Sequence, residues 1–333
     1  MQSYVRVLLK KYIIFFKCFF YESKILRISK TRYKYHPPVD SQRIVWNILI
    51  MVGQNQFDNG NSHRIFMNDD AELYENSNSI QRQDAADTLN EYSSRLNWKE
   101  TGESILDIGC GDGSVTDILR SYLPKSRKIL LGCDISERMV KHAEGRYGNK
   151  TTAFTVLNIE DDIPDELKGK FDHVFSFYAL HWMQNQEKGF TNIHNLMRDD
   201  GECLLTFLAY SPIYSMFEGL KDTPKWTAWL KDINLFLSPY HDCMEPDRVI
   251  EKLFKKIGFR FIDVRSRQKK FVYNKISDFK NTVLAISPFK IPEHMLEEFW
   301  DDLVEVGVGM RIIDKKNDTV NLIYNLLIVH SRK

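Results

Sequence analysis

From Ser104 onward, short apolar runs alternate with stretches whose apolar residues recur at helical spacing. The runs predict strands at Ser104–Ile108, Lys128–Asp134, Ala153–Asn158, Phe171–Phe177 and Glu202–Phe207. Helices are predicted between them at 114–122, 136–146 and 187–197. Upstream, Ile80, Ala85, Leu89, Tyr92 and Leu96 predict a helical stretch over 69–97. Strands alternating with helices at this spacing demand parallel pairing through right-handed crossovers. Two more strands are predicted at Phe261–Arg267 and Val320–Val329, separated by a helix pair at 276–285 and 293–306. The expected fold is α/β, a doubly wound and mostly parallel sheet of seven strands. Residues 208–257 read as an inserted helical cap, with seven aromatics between 208 and 240 (Tyr210, Tyr214, Phe217, Trp226, Trp229, Phe236 and Tyr240). Two readings of these aromatics stay open, anchors of the cap onto the sheet or the wall of an apolar substrate pocket.

Charge divides the chain. Residues 1–66 hold eleven Lys and Arg against three acids, a net +8, while the remaining 267 residues hold 35 basic and 42 acidic groups, a net −7. The expectation is a basic extension over 1–66 followed by one domain over 67–333. The extension reads as sequence upstream of a start at Met67, ahead of a poorly ordered tail or a targeting segment. Its apolar run Tyr12–Tyr21 spans ten residues and is interrupted by Lys17, against about 20 for a membrane span. The five cysteines, Cys18, Cys110, Cys133, Cys203 and Cys243, show no C-x-x-C spacing. No disulfide framework or structural zinc site is expected, and a reducing, cytoplasmic location fits best. The acidic body argues against a nucleic-acid partner.

The chemistry begins at Leu106-Asp-Ile-Gly-Cys-Gly-Asp-Gly113, which ends the first strand and opens a helix. Gly109, Gly111 and Gly113 allow a sharp turn and close approach of a ligand to the backbone. The next strand ends on Asp134, 21 residues past Gly113, where a carboxylate can accept from both hydroxyls of a ribose. NAD and S-adenosylmethionine both fit this outline. A nicotinamide fingerprint, however, runs G-x-G-x-x-G, and here its third glycine position is Ser114. Asp107 favours S-adenosylmethionine, because its carboxylate would repel a pyrophosphate and attract the cationic end of the methyl donor.

At this point the chain resembles the class I, Rossmann-like S-adenosylmethionine-dependent methyltransferases, and within them the insect juvenile hormone acid O-methyltransferase family. The resemblance runs from about Glu72 to the C-terminus. It rests on Leu73-Tyr74 with Gln81-Arg-Gln-Asp84, on Leu106–Gly113 and on Gly132-Cys-Asp-Ile-Ser136. Its most specific part is Gly169-Lys-Phe-Asp-His-Val-Phe-Ser-Phe-Tyr-Ala-Leu-His-Trp182, followed by Leu204–Tyr214 and Ile286-Ser-Pro-Phe289. It implies a cofactor held by Asp107, Gly109, Gly111, Gly113, Asp134, Ile135, Asn158, Ile159 and Ser176. The family pattern has Asp where this chain has Asn158, whose amide oxygen could still accept from the adenine amino group. The resemblance also implies that Gln81 and Trp182 grip the substrate carboxylate.

The reaction so implied is methylation of a small lipophilic acid, a juvenile hormone acid or farnesoic acid, to its ester. A carboxylic acid of pKa about 4–5 is ionised at pH 7 and needs no general base. It needs N–H donors that hold it without protonating it, which suits Gln81 and Trp182. His181 joins them as a candidate contact. Methylation of an amine is disfavoured, because Ser176-Phe-Tyr-Ala179 lacks the proline-rich turn of such enzymes. Two alternatives remain: methyl transfer to another small or fatty acid, and a catalytically weak binder of S-adenosylmethionine or a terpenoid.

Overall fold

The computed structural model describes residue 68, residues 70–100 and residues 102–333. The expectations for residues 1–66 and for a start at Met67 lie outside the described residues. The strands are β1 (Ser104–Ile108), β2 (Ile129–Asp134), β3 (Thr152–Val156), β4 (Phe171–Phe177), β5 (Met197–Tyr210), β6 (Arg260–Tyr273), β7 (Ile313–Asp314) and β8 (Thr319–Arg332). They form one sheet in the order β3-β2-β1-β4-β5-β8-β6, with β7 on β8. β1 to β5 pair in parallel, and β8 runs antiparallel to β5, β6 and β7.

Alternation along the strands builds two cores. Ile105, Phe175, Phe177 and Leu204 face one side, and Leu106, Ile108, Val174 and Leu205 face the other. Parallel strands covered on both faces need apolar residues on both, which is why these runs read as continuously apolar. α1 (Ala71–Ser77), α2 (Ser79–Tyr92), α3 (Ser114–Arg120), α4 (Glu137–Tyr147) and α5 (Gln186–Leu196) are followed by α6 (Pro212–Lys221), α7 (Pro246–Ile257), α8 (Ile276–Ile286) and α9 (Glu293–Gly309). Residues of α2, α3, α6, α8 and α9 enter the first core, and residues of α5 and α7 enter the second.

The expected elements are present, with several differences. The stretch 69–97 is two helices and a 3-10 turn at Ser93–Arg95. The break falls at Asn78, whose side chain donates to Asp112 Oδ2 (3.2 Å) and Ser114 Oγ (2.8 Å), tying the helix junction to the glycine loop. The cap is smaller than expected. Residues 208–210 still belong to β5, with Leu208 opposite Leu326 and Tyr210 opposite Asn325. α7 is a sheet helix, since Ile250 and Phe254 pack with Phe190 and Phe259 in the second core. Between α6 and α7 the chain makes turns and one 3-10 turn, Ile233–Leu235. A further difference is β7, an eighth strand of two residues. The Asp314 side chain closes its turn onto β8 by accepting from the Lys316 and Asn317 amides, a local Asx geometry too short to show as a run.

Candidate active site

The crevice lies beyond the carboxyl ends of β1, β2 and β4. β1 sits centrally between β2 and β4, the switch point at which open α/β sheets bind ligands. The glycine loop crosses this point with little room. Gly109 has φ +71°, and a Cβ added there would lie 2.1 Å from the Ala179 Cβ. A Cβ on Gly113 (φ +85°) would lie 2.8 Å from both Ala143 and the Tyr147 ring of α4. The Tyr74 ring of α1 lies over Gly111. α1 is itself held to α4 by Glu75, which accepts from Tyr147 Oη (2.9 Å) and pairs with Arg146 (2.7 Å) and His142 (3.2 Å).

Three carboxylates surround the loop. Asp107 is buried and accepts from Thr116 Oγ1 of α3 at 2.6 Å. Burial raises its pKa to about 7; the Thr116 bond opposes the rise and the Asp134 charge adds to it. Asp134 accepts from the Gly111 amide and the Ser136 amide, both at 2.9 Å. Asp112 accepts from the Ser114 hydroxyl at 2.9 Å. The donor set fits S-adenosylmethionine: acids for its cationic end, an acid at the end of β2 for its ribose, and a glycine backbone pressed against the turn after β4. At the end of β3, Asn158 Oδ1 accepts from the Glu160 amide (3.1 Å), and Nδ2 is buried without a hydrogen-bond partner. The amide nitrogen is an unused donor, and Oδ1 keeps a second lone pair that could accept from the amino group expected from the sequence. Ile159 is buried beside it and Ile135 is partly exposed after β2. Ser176 is fully buried and donates to the Ile108 carbonyl at 2.8 Å. Its hydroxyl ties β4 to β1 behind the loop, so a direct side-chain contact to the cofactor is not supported.

A second space adjoins the first. A partly open cavity of about 40 Å³ is lined by Gln81, His181 and Trp182, with Tyr74, Tyr178, Ser211, Tyr214, Thr282 and Tyr324, and with Ile80, Leu208, Ile213, Ile286 and Leu322. Gln81 comes from α2 and is buried, with Oε1 lacking a partner. His181 and Trp182 lie in the 3-10 turn Leu180–Trp182 after β4. Trp182 packs on Phe236, ring centroids 5.4 Å apart, and Tyr214 packs edge-on against the same ring. The His181 Nδ1 faces the Leu208 amide at 3.4 Å. Burial lowers the His181 pKa to about 3, so the ring is neutral at physiological pH and only a weak base.

Residues 106–203 match the family model described as a methyltransferase domain. The juvenile hormone acid O-methyltransferase of Bombyx mori is 44% identical over 269 residues, covering 79% of this chain and 97% of that protein. The Drosophila melanogaster protein of the same name is 37% identical over 273 residues, covering 79% and 92%. The chain belongs to the juvenile hormone acid O-methyltransferase family. It is an S-adenosylmethionine-dependent methyltransferase. The YcgJ protein of Bacillus subtilis shares the fold, with a TM-score of 0.51 at 14% identity, covering 74% of this chain and 98% of that one.

Within this family member the structure brings Gln81, His181 and Trp182 together, and separately gathers Asp107, the three glycines and Asp134. Three lining residues were not singled out from the sequence. Tyr214 counted only as one of seven aromatics, yet its hydroxyl is buried without a partner and burial raises its pKa, so it stays a neutral donor. Tyr178 and Tyr324 each turn their hydroxyl onto Asp84. The sequence signal was the tyrosine within the Ser-Phe-Tyr-Ala-Leu-His-Trp run; Tyr324, in the middle of an apolar strand, gave none. No helix among the described residues is long and apolar enough to cross a membrane. No group of three or more metal-ligating side chains is present among them.

Proposed function

We propose that this protein methylates the carboxylate of a small lipophilic acid, a juvenile hormone acid or farnesoic acid, in the cytoplasm. The observation that carries this reading is the cavity: Gln81, Trp182 and Tyr214 are candidate donors in a wall that also presents the aliphatic side chains of Ile80, Leu208, Ile213, Ile286 and Leu322. The names of the two curated relatives agree with it. The cofactor supplies an electrophilic methyl group. In this reading Asp107, the glycine loop and Asp134 hold the cofactor, and Gln81 and Trp182 orient the acid. The acid arrives ionised, and the neutral His181 leaves it so. Two opposite charges are neutralised as methyl transfers, so a dry apolar pocket favours the reaction. A cavity of about 40 Å³ holds a few water molecules and is small for a lipophilic acid. Admitting a lipophilic acid would widen the cavity at the wall formed by α2, α6 and the turn after β4.

A radiolabelled methyl-transfer screen over farnesoic acid, juvenile hormone acids and saturated fatty acids tests the proposal. Ester formation with the terpenoid acids is expected. Turnover restricted to fatty acids would move the substrate class, and binding of acids without turnover would replace the enzyme reading with a binder.

A further inference from the structure

We propose that Asp84 is a positioning residue for the acid grip, one buried carboxylate that fixes Gln81 and the turn carrying Trp182 in a common frame. This rests on the reading of Gln81 and Trp182 given above. Asp84 lies on α2 three residues after Gln81, so the two share a face of the helix. It is completely buried. Its Oδ2 accepts from Tyr178 Oη at 2.6 Å and from Tyr324 Oη at 2.8 Å, and Lys269 Nζ lies 3.1 Å from Oδ1. These partners come from the turn after β4, from β8 and from β6. One side chain thus links α2 to two strands and to the turn after a third, all remote in sequence.

Tyr178 gives the link its direction. It has φ +59°, a left-handed conformation that a bulky side chain keeps only where its surroundings hold it. The hydroxyl bond to Asp84 is such a hold, and Trp182 follows four residues later. Both tyrosines line the cavity with Gln81. A buried carboxylate is costly unless charges and donors satisfy it, and here two hydroxyls and an ammonium converge on it. An apolar residue would pack α2 against the sheet without setting its rotation. The carboxylate sets both the rotation of α2 and the course of the turn after β4, and these two together determine where the Gln81 and Trp182 donors meet.

The test compares the full chain with Tyr178→Phe, Asp84→Asn, Gln81→Ala and the double variant Tyr178→Phe/Gln81→Ala. It measures kcat and KM for the acid, affinity for S-adenosylhomocysteine, and Tm. Tyr178→Phe removes one hydroxyl and keeps the ring. It and Asp84→Asn should each lose about tenfold in kcat/KM, with cofactor-product affinity changed less than about threefold. The loss from Tyr178→Phe should shrink at least about threefold in the Gln81→Ala background, because part of what it aims is gone. Equal losses in both backgrounds, or a lowered Tm with unchanged kinetics, would make the bond merely structural and overturn the proposal. If Gln81→Ala loses activity while Tyr178→Phe and Asp84→Asn keep it, the grip stands and the role of Asp84 alone fails. A fully active Gln81→Ala, or a wild type that turns over no acid, removes the grip and the Asp84 role with it.

Discussion

The buried carboxylate of Asp107 should make cofactor affinity depend on pH in a way that one substitution abolishes. Burial raises its pKa to about 7, so near neutrality the ligand-free protein carries it partly protonated. The cationic end of S-adenosylmethionine favours the ionised form, so binding releases that proton. About a tenth of the molecules are ionised at pH 6 and about nine-tenths at pH 8, which predicts a roughly tenfold gain in affinity across the interval. The amino group of the ligand titrates near the upper end of this range, so the quantity to examine is the ratio of wild type to Asp107→Asn. That ratio should change about tenfold from pH 6 to pH 8, with the variant weaker throughout. Stability moves the opposite way. The folded-state pKa lies above the ordinary value of 3.8, so the folded state binds the extra proton between about pH 4 and pH 7. The contribution of this group is most favourable below that window and declines as pH rises through it. A rise of about three units bounds the cost at about 4 kcal/mol, which Asp107→Asn should partly recover at pH 8 in urea unfolding without ligand. Calorimetric titration at pH 6, 7 and 8 checks the affinity. A ratio constant across the three would refute the reasoning, because the carboxylate would then be ionised throughout or remote from the cation.

Gln81→Ala and Trp182→Phe should each lower kcat/KM for the acid about tenfold to a hundredfold, the loss of a hydrogen bond to a charged group, with S-adenosylmethionine affinity little changed; steady-state kinetics beside calorimetry checks this. Tyr214→Phe should raise KM for the acid about tenfold and leave Tm within a degree or two, because its hydroxyl has no partner inside the protein to lose; an unchanged KM would make Tyr214 a wall only. Gly109→Ala should destabilise by about 2–5 kcal/mol, since the new methyl meets Ala179 and the backbone is left-handed; urea unfolding measures it, and a near-native midpoint would mean that the turn after β4 yields easily.

The parallel half of the sheet was legible in the sequence because its strands are short, apolar on both faces and separated by helices of ordinary length. β1 and β4 begin and end where the pattern places them. The antiparallel half was legible only in outline. β5 runs on past Phe207 and β6 past Arg267, because their pairing with β8 is cross-strand and leaves no mark in local composition. The helix break at Asn78 was hidden for the same reason, since its amide answers to Asp112 and Ser114, more than thirty residues away. At the site, the glycine loop is a local motif and could be read as one. The acid end is assembled from α1, α2, the turn after β4, α6, α8 and β8. Gln81 is one polar residue on a predicted helix, and the family resemblance is what singled it out. Asp84, Tyr178 and Tyr324 become a unit only through tertiary contact.

The two ends of the crevice carry opposite preferences, and that contrast orients the reaction. Around the glycine loop stand Asp107, Asp112 and Asp134, with Asp107 close enough to Asp134 for the second charge to raise the pKa of the first. An anionic substrate is repelled from this end and a cationic cofactor is drawn to it. The adjoining cavity offers neutral groups: the Gln81 amide, the Trp182 indole, the Tyr214 hydroxyl and an uncharged His181. Arginine or lysine there would bind the carboxylate more tightly in the ground state, yet transfer erases that negative charge, so such binding would be lost as the transition state forms. Neutral donors hold the acid in place and surrender less as its charge disappears, leaving more of the binding energy available to the reaction. In this reading Asp84 takes part without touching substrate. Lys269 pairs with it from β6 and the two tyrosines donate to it, so this buried carboxylate directs its neighbours without facing the anion that they receive.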